Sequence, residues 1–407
     1  MIKTPIKLQD LRRRIYLKAK AEKEKKFWGL YVHVYKLETL DEAYRQAYKN
    51  NGCAGIDGVK FEDIEKEGRE EFLKAIQTEL KEKTYVPKRY RKVQIPKENK
   101  GTRSLSIATI KDRVVQTAIK LILEAIFEAD FQEGSYGFRP KRNQHQAVNR
   151  VKKAIVENKT IAIDVDLENY FDTIRHHILL EKIAKRVDDK EILKIIKFTL
   201  KLNGKKGVGQ GSPLAPLFSN LYLNEVDKML EKAKIVTSKG KYTNLEYTRF
   251  ADDLLILIST HYSQRWLIEA VEKRMKGELE KVEVKINTEK TQIINLNQGK
   301  HVTFLGFDIR RVKSRYGKWF PLTTPKMKSR TKLLRKIKPI FKKYRSQPIG
   351  RIVKEINPIL RGWVNYYRIG NSSKCFMYIK DWVIQKLKKS SNTWIWMEKV
   401  EYINTLQ

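Results

Sequence analysis

The sequence predicts an α+β fold, with strands and helices mixed up to about residue 310 and helices alone beyond it. Three observations predict it. TIAIDVDLENYFDTI, Thr160–Ile174, opens with a period of two: Ile161, Ile163 and Val165 share one face, Ala162, Asp164 and Asp166 the other. YTRFADDLLILI, Tyr247–Ile258, is apolar on both sides of two adjacent acids and reads as strand, tight turn, strand. From Thr324 onward Leu333, Leu334, Ile337, Phe341 and Tyr344 recur at helical spacing among lysines and arginines.

The other elements follow in chain order. Residues 1–30 are basic, with apolar residues sparse before Phe27, and read as a charged helical extension. A helix is expected over Glu38–Lys49, a loop over Asn50–Gly58 and a helix over Phe61–Lys81. Val93 and Ile95, then Leu105 and Ile107, alternate around the turn Asn99–Gly101 and predict a hairpin rich in Lys and Arg. Helices are expected over Lys111–Phe127, up to about Asn158, and over His177–Ala184, Lys190–Asn203, Leu217–Ala233 and Gln264–Lys281. Short strands are expected near Val284–Ile286, Gln292–Leu296 and Phe304–Arg310, and a domain boundary near residues 311–325.

Composition narrows the function classes. At 407 residues the chain exceeds one ordinary domain and can bury a sizeable core. Its 85 Lys and Arg against 47 Asp and Glu leave a net charge of +38, which points to a polyanionic partner. Cys53 and Cys375 are the only cysteines, so neither a disulfide framework nor a cysteine-based zinc cluster follows. His176 and His177 are adjacent, not four apart as a helical zinc pair requires. No apolar run approaches a membrane span and no signal-peptide core is present, so a cytoplasmic setting without a membrane partner is expected.

Asp166, Asp252 and Asp253 stand at strand ends. Laid side by side in an antiparallel sheet, these strands bring like charges together, and each raises the pKa of the other. Divalent cations resolve the conflict. Mg²⁺ takes oxygen ligands, usually one or two carboxylates plus substrate phosphates. Two ions about 4 Å apart stabilise the attacking and leaving oxygens of an in-line displacement. Surface acids capping a turn are the plainer alternative for an Asp-Asp pair taken by itself.

An ordered series of motifs then becomes specific. RFADDLLIL, Arg249–Leu257, resembles the Y-x-D-D box of reverse transcriptases, and DVDLENYFDTIRHHIL, Asp164–Leu179, the catalytic box before it. AGIDGV (Ala54–Val59), IPKENKGTRSLSIATIKDRVVQTAI (Ile95–Ile119), SYGFRPKRNQHQAV (Ser135–Val148), GQGSPLAPLFSNLYLNEVD (Gly209–Asp227), INTEKTQI (Ile286–Ile293), FLGFDI (Phe304–Ile309) and ILRGWVNYYRIG (Ile359–Gly370) complete the order. Together they resemble the reverse transcriptase–maturases encoded by group II introns, over roughly Leu40 to Lys388. Three departures stand out: Gly209 for a usual Pro, SLSIAT for RPLGIPT, and Phe250 for Tyr. None removes a metal ligand.

The resemblance implies a right-hand polymerase. Residues 1–65 would form a basic extension and first fingers motif, 66–310 the fingers and palm, and 311–407 an α-helical thumb and maturase domain, with no endonuclease expected. It assigns catalysis to Asp166, Asp252 and Asp253, and two Mg²⁺ ions, with Mn²⁺ as a substitute, to Asp166, Leu167 and Asp252. Lys97 and Arg103 would grip the triphosphate of a dNTP. Phe171 would block a ribose 2′ hydroxyl or simply pack. Gln210 would approach the sugar, and Lys290 would act as a general acid or remain solvated. Arg113 and Arg139 are assigned to template, primer or structural carboxylates. Phe250 would pack under the primer end, Gly306 would present the primer, and Lys336 and Arg361 would follow the duplex. Trp363, Tyr366 and Tyr367 would serve either RNA binding or the thumb core. The function implied is RNA-templated DNA synthesis from a DNA or RNA primer, with binding of the intron RNA to assist splicing. The alternatives are a domesticated relative in DNA repair or phage defence, and a splicing cofactor without polymerase activity.

Overall fold

The computed structural model describes residues 6–96, 101–238, 240, 242–261 and 265–388. Lys97, expected at the nucleotide, lies outside the described residues. Nine strands form three antiparallel sheets among them. β1 (Arg91–Pro96) and β2 (Thr102–Ile107) make the basic hairpin. β3 (Lys159–Val165), β4 (Leu245–Phe250), β5 (Asp253–Ser259) and β6 (Gln292–Asn295) form the central sheet in the order β4-β5-β3-β6. β7 (His301–Phe304), β8 (Phe307–Lys313) and β9 (Trp319–Pro325) form the third.

β3 and β5 lie in the middle of the central sheet and are buried on both faces, which is why LLILI is unbroken by polar residues. On one face Ile163, Val165, Leu254, Ile256 and Ile258 join the main core, with helices Ile110–Phe127 and Ala215–Val236. On the other, Ala162, Leu255 and Leu257 meet helix Gln144–Val156 and the Val302, Phe304, Phe307 and Ile309 side chains of β7–β8. The face that carries the acids is therefore roofed by the third sheet, and Asp166 emerges only where β3 ends. Each buried aliphatic side chain contributes roughly 1.5–3 kcal/mol by leaving water. That burial holds β3 and β5 together against the repulsion of the acids at their ends.

The basic extension is helical over Ile6–Ala21 and is packed down. Leu8, Ile15 and Ala19 are buried, and Arg12 pairs with Glu124 at 2.7 Å. Val284–Ile286 forms no strand; Ile286 makes a single bridge with Leu167. Residues 311–325, expected as a boundary, carry the rest of β8 and all of β9. The helical region starts at Met327 and has its own core of Leu333, Ile337, Phe341, Ile352, Ile356, Leu360 and Val383. Its three helices span Met327–Lys343, Ile349–Tyr367 and Ser373–Lys388. Among the described residues no helix is long and apolar enough to cross a membrane.

Candidate active site

Asp166 follows β3 directly, and the pairing of Val165 with Leu254 sets it level with Asp253. Asp252 occupies the two-residue turn between β4 and β5, where Phe250 pairs with Asp253. The first turn residue, Ala251, has φ +60°, the geometry of a type II′ hairpin turn that glycine usually fills. Three acids thus arrive at one sheet end from two strands.

Arg249 holds this turn. It is completely buried and directs its donors at fixed partners. Nε and Nη2 donate to the two carboxylate oxygens of Asp227 at 2.9 and 2.5 Å. Nη1 donates to Asn220 Oδ1 at 3.0 Å and to the Ala251 carbonyl at 2.7 Å, and Nη2 also reaches Ser135 Oγ at 2.9 Å. Burial disfavours the guanidinium charge, but Asp227 outweighs it and the pKa of Arg249 is raised. The outer edge of β4 is covered by the Gly134–Tyr136 segment: Arg249 N–H donates to the Gly134 carbonyl and Tyr136 N–H to the Arg249 carbonyl, both at 2.8 Å. Gly137 follows, and a Cβ there would lie 2.2 Å from the Ala251 nitrogen. Backbone cannot step aside as a side-chain end can. We therefore expect Gly137→Ala to displace the turn, costing about 1–3 kcal/mol in overpacking and about 10²-fold in turnover. Thermal melting and steady-state primer extension together check this, and wild-type activity in the variant would refute it.

The acids are electrostatically distinct. Burial, then Asp164, Asp252 and Asp166, push the Asp253 carboxyl up to about 7, against a hydrogen bond from the Leu305 amide. Burial and Asp166 push Asp164 up to about 6. Asp252 is also raised, chiefly by burial, while the charge of Arg103 on β2 pulls the other way. Asp253 and Asp164 are therefore the acids that burial and neighbouring charge push furthest toward the neutral form, and Asp166 and Asp252 form the outer pair. Among the described residues no group of three His, Cys, Asp or Glu makes a ready metal cage. Two outer carboxylates are nonetheless the number that Mg²⁺ usually takes from protein, and their like charges give a cation its attraction. Asp166 and Asp252 fit that ion.

Around them the hairpin and the glycine-rich loop converge. Ser106 of β2 donates its N–H to the Gln210 carbonyl at 2.7 Å, and Val208 donates to the Phe171 carbonyl at 2.8 Å. Gly211 has φ +115° and would place a Cβ 2.7 Å from the Ser106 carbonyl, so only glycine lets hairpin and loop touch. Arg103, Gln210 and Phe171 are thereby gathered on one side. Phe171 is half-buried and meets Tyr170 edge-on at 5.4 Å. On the other side Lys290 Nζ stands 3.5 Å from Asp166 Oδ2. Phe250 is half-buried beside Phe138, ring centres 6.4 Å apart.

The β7–β8 turn, Leu305–Gly306, has φ +48° and +80°. Besides donating to Asp253, Leu305 accepts at its carbonyl from Tyr366 Oη at 2.8 Å. A Cβ on Gly306 would lie 2.8 Å from Tyr367 Oη. Tyr366 is itself fixed, since His145 Nε2 donates to its carbonyl at 2.8 Å and its ring stacks on Phe307 at 5.6 Å. Tyr367 is buried against Phe307 of the third sheet, Tyr366 is half-buried on the same ring, and half-buried Trp363 packs on Tyr367 and Phe376.

Two arginines have protein partners. Arg139 takes the structural alternative: its side chain is 3% exposed, forks onto Glu128 at 2.7 Å, and donates to the Ser135 carbonyl at 2.8 Å. Arg113 donates to the Ala108 carbonyl at 3.0 Å and to the Gly52 and Cys53 carbonyls, so it ties the Asn50–Gly58 loop to the fingers. Lys336 and Arg361 are exposed on their helices. Sequence reasoning gave no site role to Arg249, Asp227, Asn220 and Gly137, and did not place Tyr366 at the Leu305 turn. One signal was present: Asn220, Asn224 and Asp227 fall at i, i+4 and i+7 on an otherwise apolar helix face.

Carboxylates at the end of a central antiparallel sheet, a basic hairpin beside them and basic helices beyond are the parts of a template-directed nucleic-acid polymerase. The profile described as reverse transcriptase (RNA-dependent DNA polymerase) matches residues 95–309, and that of the group II intron maturase-specific domain matches residues 330–396. The chain belongs to the reverse transcriptase family, in its group II intron branch with a maturase domain. It is 31% identical over 333 residues to Protein YkfC of Escherichia coli (strain K12), covering 72% of this chain and 86% of that one. It is 28% identical over 348 residues to group II intron-encoded protein LtrA of Lactococcus lactis subsp. cremoris, covering 70% of this chain and 57% of LtrA.

Proposed function

We propose that this chain extends a DNA or RNA primer on an RNA template using dNTPs, by a nucleotidyl transfer that uses two Mg²⁺ ions, and that it binds its own intron RNA to assist splicing. The observation that carries this reading is the convergence of Asp166 with Asp252 and Asp253 at one sheet end, built on the Arg249-anchored turn. Asp166, Asp252 and the backbone of Leu167 would hold the cations. When bound, these supply charge stabilisation for the attacking 3′ hydroxyl and the departing pyrophosphate. The protein's own residues do the rest. Arg103 offsets phosphate charge on the hairpin side, and Gln210 with Phe171 forms the wall against the sugar. Lys290 stands close enough to Asp166 to protonate the leaving pyrophosphate. Exposed Lys336 and Arg361 lie on helices suited to the backbone of a duplex.

Purified protein should extend a DNA primer on an RNA template in Mg²⁺ and lose this activity in EDTA. RNA affinity should fall by about 10³–10⁵ between about 50 and 200 mM salt if six to ten phosphates are neutralised. A flat salt response would contradict phosphate binding by the +38 charge. Splicing of the adjacent intron RNA at low Mg²⁺ tests the maturase role, and no gain with added protein would refute it.

A further inference from the structure

The β8–β9 hairpin runs away from the acids. Its strands pair from Phe307–Pro325, beside the Leu305–Gly306 turn, out to Lys313–Trp319. At about 3.3 Å per residue the far tip is about 20 Å from that turn. Residues 310–319 carry five cations, Arg310, Arg311, Lys313, Arg315 and Lys318, and no carboxylate. Two rings stand out among them: Tyr316 is 76% exposed and Trp319 48%. Each has a guanidinium over one face, Arg315 at 4.9 Å from the Tyr316 centre and Arg311 at 4.8 Å from Trp319.

The tip is fixed. Ser314 N–H donates to the Lys318 carbonyl at 2.8 Å, Gly317 N–H to the Ser314 carbonyl at 2.9 Å and Lys318 N–H to Ser314 Oγ at 3.1 Å. Arg311 is clamped between Asn297 Oδ1 at 2.5 Å and Asn158 Oδ1 at 2.6 Å, so the plane over Trp319 is set in advance. Next to Asn158, the Glu157 carbonyl accepts from Tyr242, a third exposed ring with Lys159 at 5.0 Å from its centre. Rigid rings with one face backed by a cation and the other open suit unpaired bases, and the flanking cations suit the phosphates between them.

We propose that this outer end of the β8–β9 hairpin is a second RNA-binding surface, separate from the template–primer cleft, that takes an unpaired loop or single-stranded segment. It rests on the reading that the chain binds RNA. A segment held here would anchor a long RNA while the cleft stays free for another strand.

The test uses the full chain with its cleft saturated by a short hairpin template–primer, and a fluorescent 12-nucleotide oligouridylate containing 4-thiouridine as probe. The double variant Tyr316→Ala/Trp319→Ala should bind the probe about tenfold more weakly or worse, since each lost stack is sequence-independent. Extension of the hairpin template–primer should stay at the wild-type rate, and Trp319→Phe should recover part of the affinity. Crosslinks in the wild type should map to residues 311–319. Unchanged probe affinity in the double variant, or crosslinks confined to the cleft, would overturn the proposal. So would a wild-type surface that captures an acidic peptide and not the oligouridylate, which would assign it to a protein. Loss of extension in the wild type would instead overturn the polymerase reading, so the two failures are distinguishable.

Discussion

Asp252→Asn removes primer extension, by about 10³-fold or more, while the chain stays folded. On the proposed reading Asp252 is a metal ligand, and losing it forfeits several kcal/mol of transition-state stabilisation; about 4 kcal/mol is 10³-fold. The turn itself should survive, because Arg249 holds the Ala251 carbonyl and not the Asp252 side chain. A second signature separates this from general damage. Burial raises the pKa of Asp252 and Asp166 adds to it, so the charged form is costly without a cation. Removing that charge should raise the melting temperature in EDTA. Mg²⁺ should raise the melting temperature of the wild type, as any ligand of the folded state does, and should do so less in the variant. Single-turnover extension and paired melts with and without Mg²⁺ are the measurements. Extension at the wild-type rate would remove Asp252 from the site.

Arg249→Met destabilises the protein by about 3–5 kcal/mol, because it leaves Asp227 as a buried carboxylate without its cation. Both side chains are fully buried. Replacing both partners with apolar residues is a different matter, since a buried ion pair is often matched by well-packed hydrophobes. Arg249→Met/Asp227→Leu should therefore recover part of the stability in a chemical denaturation series, the rest staying lost because Asn220, Ser135 and the Ala251 carbonyl lose their donor. It should not recover activity, because the Ala251 carbonyl still lacks its donor and the catalytic turn is free to drift. A double variant that is stable and fully active would show that Arg249 serves folding alone. One no more stable than Arg249→Met would show that the pair is not a closed unit.

The fold was legible where period and burial agree. β3, β4 and β5 follow from alternating or continuous apolar residues, and the acids stand where those patterns stop. β9 was hidden because Pro321 and Pro325 argue against a strand; it is an edge strand, where a missing N–H is tolerated. The roof over the acid face was hidden because Val302 and Phe304 lie more than a hundred residues from Ala162 in sequence. Arg249 carried no signal of its own in the sequence, since its partners Asp227, Asn220 and Ser135 lie elsewhere in the chain. For Arg139 the sequence left template, primer and structural carboxylates open, and the fold supplies Glu128 as its partner. Charge is visible in a sequence, but the direction in which it points is settled by tertiary neighbours.

Leu305 has its amide on Asp253 and its carbonyl on Tyr366. In the terms of a machinist, it is a common datum. On the proposed reading, one acid, the turn that presents the primer and the helix that follows the duplex are all measured from a single residue, through the two peptide planes that meet at its Cα. Their positional errors do not accumulate along separate chains of contacts. On that reading a shift of helix Ile349–Tyr367 would move the primer support and the acid's hydrogen bond together.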